Sequence, residues 1–226
     1  LTATPDAAHG FYKWIVTDAD QVEHVSYEPT LRWQLDGPIT CTPVYSSSRW
    51  VTKNGSAEGS GTAESPFATL AQALAVAQPG DTIRFGAGTF EVADDVALSD
   101  AKRIVGNGCT GADATILLPL TTATTGAFVL SGDGAGMSDL VVSGAKVRSV
   151  IANAGAVVRN CVIRNSDPNW SGSGREGAAA SASGGTIVDC VITNNRNTTT
   201  VIRYGGGVRI SNGGLVDRCV IADNDN

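Results

Sequence analysis

Cys161, Cys190 and Cys219 recur at an interval of 29 residues, each in the same place of the same phrase. The phrases are Val-Val-Arg-Asn-Cys-Val-Ile-Arg-Asn (157–165), Thr-Ile-Val-Asp-Cys-Val-Ile-Thr-Asn (186–194) and Leu-Val-Asp-Arg-Cys-Val-Ile-Ala-Asp (215–223). A period of this length means stacked supersecondary units, each burying its apolar face on the next. The unit is rich in Val, Ile and Thr, is bounded by Gly and Asn, and has short apolar runs. It therefore reads as strands and not as helix. Three short strands and three turns fill the period, which makes one coil of a parallel β-helix.

Within the last coil the strands read as Gly205–Ile210, then Leu215–Arg218, then Cys219–Asn224. Val208, Ile210, Val216, Cys219 and Ile221 should face inward. Val158/Ile187/Val216 and Ile163/Ile192/Ile221 should form columns. Asn165 and Asn194 are expected to stack as an asparagine ladder that bonds the corner backbone. Asp223 interrupts it, and Asn224 takes its place one residue later.

Five cysteines cannot all pair internally. Equivalent positions of adjacent coils lie about 4.8 Å apart, but parallel side-chain vectors fit disulfide geometry poorly. The three repeated thiols read as small buried filler. There is no Cys-x-x-Cys, which argues against a zinc site. With 16 basic and 22 acidic residues, a net charge of −6 and no basic block, nucleic acid is an unsuitable partner. No apolar run is long enough to insert in a membrane. Position 1 is Leu, and residue 226 falls inside a copy of the repeat, so both ends read as cut from a longer protein.

Residues 1–47 differ from the rest. They hold both histidines, His9 and His24, with Phe11, Tyr12, Trp14, Tyr27, Trp33 and Tyr45. Strand-like runs at Gly10–Thr17, Val22–Tyr27, Thr30–Leu35 and Ile39–Tyr45 are separated by Asp-rich turns. Ser46–Ser48 reads as a polar linker to a second unit, 48–226. There Ser65 is expected to cap a helix over about 66–78, with Phe67, Leu70, Leu74 and Ala77 as its apolar stripe and Pro79-Gly80 as its stop.

Two resemblances follow from these residues. Leu-Thr-Ala-Thr-Pro-Asp, Gly-Phe-Tyr-Lys-Trp, Pro-Thr-Leu-Arg-Trp-Gln-Leu and Ile-Thr-Cys-Thr-Pro-Val-Tyr, within residues 1–45, resemble the divergent internalin B-type repeat of bacterial surface proteins. That resemblance implies a spacer or presentation module. From residue 50, the order Asn-Gly-Ser, Gly-Thr, Ser-Pro-Phe-Ala-Thr-Leu, Pro-Gly-Asp-Thr-Ile and Gly-Thr-Phe resembles the entry of right-handed parallel β-helix proteins of the pectin-lyase-like superfamily. It implies a right-handed stack whose open N-terminal end is capped by the short helix.

The chemistry is less legible. Gly106-Asn-Gly-Cys-Thr-Gly111 matches G-x-G-x-x-G, but Ala-Asp-Ala-Thr-Ile-Leu-Leu-Pro follows where a dinucleotide site needs a helix. These glycines read as coil corners. No histidine lies in 50–226, which removes a Ser-His-Asp triad or a histidine zinc site from the stack. Resemblance to the superfamily implies a groove over the first sheet, worked by a polysaccharide lyase or glycoside hydrolase, or no catalysis at all in an adhesin or stalk. No cofactor is evident; Ca²⁺ enters only if the full-length protein is a lyase. The catalytic residues stay unassigned.

The residues bordering that groove are Trp170, Arg175 and Glu176 in one long loop, Arg203 and Tyr204 in the next, and Arg209 on the strand. An aromatic beside basic groups suits an acidic sugar. Ala178–Ser181 is a bare patch beside them, and Asp139, Asp189 and Asp217 sit at the second strand or its corner. The expectation is a monomeric, secreted or cell-surface bacterial protein that engages polysaccharide or a cell-surface glycan.

Overall fold

Inward positions carry branched apolar side chains, and their registers agree from coil to coil. Val158 pairs with Ile187 and Ile187 with Val216. Ile163 pairs with Ile192 and Ile192 with Ile221. All pairings are parallel, and Val158, Ile163, Ile187 and Ile192 are fully buried. A computed structural model of the chain describes residues 1–4, 9–28, 30–34, 37–93, 95–120, 126–167, 179–196 and 206–225.

Among those residues, three parallel sheets run the length of a β-helix. The first sheet holds Val96–Leu98, Phe128–Leu130, Val150–Asn153, Ala180–Ser183 and Val208–Ser211. The second holds Thr82–Phe85, Arg103–Val105, Gly136–Ser138, Val157–Arg159, Thr186–Val188 and Leu215–Asp217. The third holds Gly88–Val92, Thr115–Pro119, Val141–Ser143, Val162–Arg164, Val191–Thr193 and Val220–Ala222. One hydrophobic core fills the space between them, from Val51 to Ile192. Among the described residues no strand pairs beyond Val208–Ser211, Leu215–Asp217 and Val220–Ala222, so Ile210 and Ile221 keep their columns yet remain exposed.

The cysteine column is present. Cys161 and Cys190 are buried, and Cys219 packs against the same core. The backbone N–H of Cys161 donates to Cys190 Sγ, and that of Cys190 to Cys219 Sγ, each at 3.4 Å. All five cysteines are free thiols. Burial pushes the Cys161 thiol well above its ordinary range.

The asparagine ladder exists one residue later than the repeat suggests. Ser166, Asn195 and Asn224 form it. Ser166 N–H donates to Asn195 Oδ1 at 3.0 Å, and Asn195 N–H donates to Asn224 Oδ1 at 3.2 Å. Asn195 Nδ2 reaches Ile163 O at 3.1 Å, and Asn195 is buried. Asn165, Asn194 and Asp223 hold the corner itself at φ of 55°, 54° and 54°. Asn and Asp tolerate that left-handed conformation, which turns their side chains out of the stack. A similar column of Asn160, Asp189 and Arg218 turns the chain between the second and third sheets.

The start of the chain departs from expectation in three places. The helix α1 spans Leu70–Val76 and is capped by Thr69, not Ser65. Thr69 and Gln72 make a reciprocal capping box, while Phe67, three residues before Leu70, bridges to Val51 and Ser56 as extended chain. Leu70 and Ala73 join the main core, covering its N-terminal end. The strand expected over Thr30–Leu35 reduces, where described, to a bridge between Thr2 and Thr30. Ser46–Ser48 is not a linker. It lies within one continuous strand, Thr40–Ser56.

β1 spans His9–Thr17, β2 Glu23–Ser26 and β3 Thr40–Ser56. β1 is antiparallel to β2 and to residues 40–47 of β3. Residues 48–51 of β3 then pair in parallel with Thr82–Phe85, so the small module extends the second sheet. Its own core is Ala3, Phe11, Trp14, Val16 and Leu31. Gly10 allows β1 to sit against the stack, since a Cβ there would meet Thr82 Oγ1 at 2.1 Å.

Candidate functional site

The second sheet presents two outward columns, because side chains alternate across each strand. One runs Thr82, Arg103, Gly136, Val157 and Thr186; the other runs Arg84, Val105, Ser138, Arg159 and Val188. The small module bends over this face. Between them lies a cleft of about 390 Å³.

Arg103 fastens the two walls together. Its guanidinium donates to Phe11 O at 2.6 Å, to Tyr12 O at 3.1 Å and to Tyr27 O at 2.8 Å in the module. Its Nε donates to Gly134 O at 2.9 Å in the stack, and its charge lies 5.5 Å from the Phe11 ring centroid. Four carbonyl acceptors compensate a cation that burial pushes below its ordinary pKa. Gly136 is the neighbouring outward position in the same column. No left-handed φ requires glycine there; a Cβ would stand 3.9 Å from Arg103 Cγ and 3.0 Å from Val157 O. The bare strand gives the arginine room to cross and leaves the cleft floor flat.

The walls differ in character. The module supplies Phe11, Tyr27 and Glu28, and the stack supplies Arg84, Ser138, Asp139 and Arg159. Arg84 Nε donates to Ser48 Oγ at 3.0 Å, and its guanidinium lies 5.9 Å from the Trp50 ring centroid. Asp139 accepts from Asn160 Nδ2 at 2.7 Å. At the mouth, Arg159 Nη2 donates to Glu28 Oε2 at 2.6 Å, with both side chains nearly half exposed. Desolvation, then the Tyr12 and Asp133 charges, raise the Tyr27 phenol pKa.

The residues expected to border a groove on the first sheet fare differently. Trp170, Arg175, Glu176, Arg203 and Tyr204 lie outside the described residues. Arg209 lies on Val208–Ser211, pairs with Ser181, and alternates with Val208, which packs on the core. Ser181 is buried although it faces outward in that column, and its Oγ has no hydrogen-bond partner among the described residues. Asp189 and Asp217 engage Arg218: Nε to Asp189 Oδ1 at 2.7 Å and Nη1 to Asp217 Oδ2 at 2.5 Å. Among the described residues, no three His, Cys, Asp or Glu side chains gather as a metal ion requires.

Sequence reasoning missed the cleft because its walls are more than 70 residues apart in the chain, as the Arg103 and Arg159 contacts are. One signal was available. Arg84 and Arg159 follow the inward Ile83 and Val158 of their strands, so both had to face outward on the second sheet.

Comparison with known proteins adds a family and no activity. No curated protein and no solved structure matches the chain. A family profile described as a protein of unknown function, DUF1565, matches residues 51–217, from the second half of β3 to the last strand of the second sheet. That span takes in well over half of the chain, and the chain belongs to the DUF1565 family.

Proposed function

We propose that this is a bacterial β-helix protein, secreted or held at the cell surface, that binds extracellular polysaccharide. The observation that carries the reading is the cleft. An aromatic wall, a bare strand floor and hydrogen-bonding groups of both charges line one concavity, which is the chemistry of a sugar site. The resemblance of 50–226 to the pectin-lyase-like superfamily, and of 1–45 to internalin B-type repeats, supports the same reading. A rigid stack also offers a long straight face, which suits an extended chain.

A second reading is an adhesin or stalk that binds no glycan. The uninterrupted core and the cysteine and asparagine columns favour it, since they serve rigidity alone. A glycan array probed with the 226-residue protein separates the two, alongside an absorbance assay for unsaturated lyase products. Binding without product formation supports the proposal. Absence of binding to any neutral or acidic polysaccharide leaves the stalk.

A further inference from the structure

We infer that the cleft reads a vicinal diol on a neutral sugar ring, with Glu28 of the small module and Arg159 of the stack as the reading pair. The inference rests on the polysaccharide reading and narrows it to one site and one ligand class.

Charge balance is the first argument. Three arginines, Arg84, Arg103 and Arg159, face three carboxylates, Glu28, Asp133 and Asp139, along the lining. Arg103 is turned toward backbone carbonyls. An anionic ligand would meet as many carboxylates as guanidinium groups and would gain nothing from the field. A neutral polar ring meets donors and acceptors without that opposition.

The second argument is the pair itself. Glu28 and Arg159 are 131 residues apart and meet at the mouth of the cleft at 2.6 Å. Both are well exposed, and such pairs add little stability. Their bond engages Glu28 Oε2 and Arg159 Nη2. A carboxylate has two acceptor oxygens and a guanidinium five N–H donors, so a fixed pair presents an acceptor beside a donor. Two adjacent hydroxyls match that arrangement: one donates to the carboxylate while its neighbour accepts from the guanidinium. Tyr27, next to Glu28 in the chain, supplies an aromatic wall for the apolar face of the ring. The small module is then half of a binding site and not a spacer.

The test is titration calorimetry of the 226-residue protein with neutral hexose oligosaccharides, their deoxy analogues lacking one hydroxyl of the diol, and uronic acid oligosaccharides. The variants are Glu28→Gln, Arg159→Lys and, on the first sheet, Arg209→Ala, each checked by thermal melting. The expected result is neutral-sugar binding that weakens about tenfold or more in Glu28→Gln and Arg159→Lys, and in the deoxy analogue with the parent protein. Melting should stay unchanged, and Arg209→Ala should bind as the parent does. Arg159→Lys keeps the charge and loses the planar fork, so a merely structural role predicts no change in affinity. Glycan binding that ignores Glu28 and Arg159 but is lost in Arg209→Ala, or that prefers uronates, overturns this site while leaving the polysaccharide reading intact. No binding of any glycan overturns both.

Discussion

Asn224 Oδ1 accepts from two groups of Asn195, the backbone N–H at 3.2 Å and the side-chain Nδ2 at 2.8 Å. Asn195 repeats the arrangement by accepting from Ser166 N–H. Each rung thus satisfies a corner donor of the one before it, and at Ser166 and Asn195 it does so in the buried interior.

Replacing Asn195 with Ala leaves Ser166 N–H and Ile163 O without their partner and should cost about 1–3 kcal/mol per orphaned group. Asn194→Gly, one residue away, keeps the left-handed corner at φ 54° and removes only an exposed side chain, for a change within about 0.5 kcal/mol. Denaturant unfolding of the two variants checks this. Equal costs would return the ladder to position 194.

Thiol chemistry should divide the five cysteines. Cys161 and Cys190 are buried, and Cys41, Cys109 and Cys219 are partly exposed. Thiolate formation at Cys161 is further opposed by burial. Maleimide labelling of native protein followed by peptide mass mapping should modify Cys41 and Cys109 readily. Cys161 and Cys190 should react only on unfolding. Rapid labelling of Cys190 in native protein would contradict its place in the column.

Arg103→Met should loosen the small module from the stack while the coils stay folded. Three module carbonyls lose their donor, and each acceptor left unsatisfied costs about 1–3 kcal/mol. Hydrogen exchange should therefore quicken across 9–28 and remain slow in Val157–Arg159 and Thr186–Val188. Uniform loss of protection would mean that Arg103 holds up the whole stack.

Acid should weaken the β1–β2 turn. The carboxyl of Asp18 lies below its usual range, first because of its hydrogen bond to His24 at 2.8 Å and then because of Val22 N–H at 2.9 Å. A lowered folded-state pKa stabilises fully above the unfolded value of about 3.9, and the contribution is lost as pH falls through the lowered value. Asp18→Asn should therefore melt earlier than the parent at neutral pH. The gap should close as pH falls below the unfolded value and through the lowered one. A gap of constant size across that range would assign the effect to turn shape and not to charge.

The stack was legible because one interval specified it. Once Cys161, Cys190 and Cys219 are aligned, the parity of each strand decides which residues point inward, and Val158, Ile187 and Ile192 follow. The ladder slipped by one because every copy of the repeat carries two adjacent polar residues at this corner, Asn165-Ser166, Asn194-Asn195 and Asp223-Asn224. Only backbone φ distinguishes the one that turns the chain from the one that stays inside. The helix start moved from Ser65 to Thr69 for a related reason: both are capable caps, and Phe67 gains more as extended chain against Val51. The cleft was illegible because it depends on how far the small module bends over the second sheet. Arg103 decides that through backbone carbonyls, which every residue possesses and no sequence pattern marks.

β3 carries a consequence for how this protein can be altered. Residues 40–47 hold the module and 48–51 hold the first rung, with no break between them. Both walls of the cleft are therefore indexed to a single reading frame of alternation. One residue inserted between Val44 and Trp50 would invert every side chain on one side of the insertion relative to the other. Phe11 and Glu28 would then be carried away from Arg103 and Arg159. The module cannot be exchanged as a cassette at Ser46–Ser48, although its composition invites the cut there. An exchange has to keep the parity of β3.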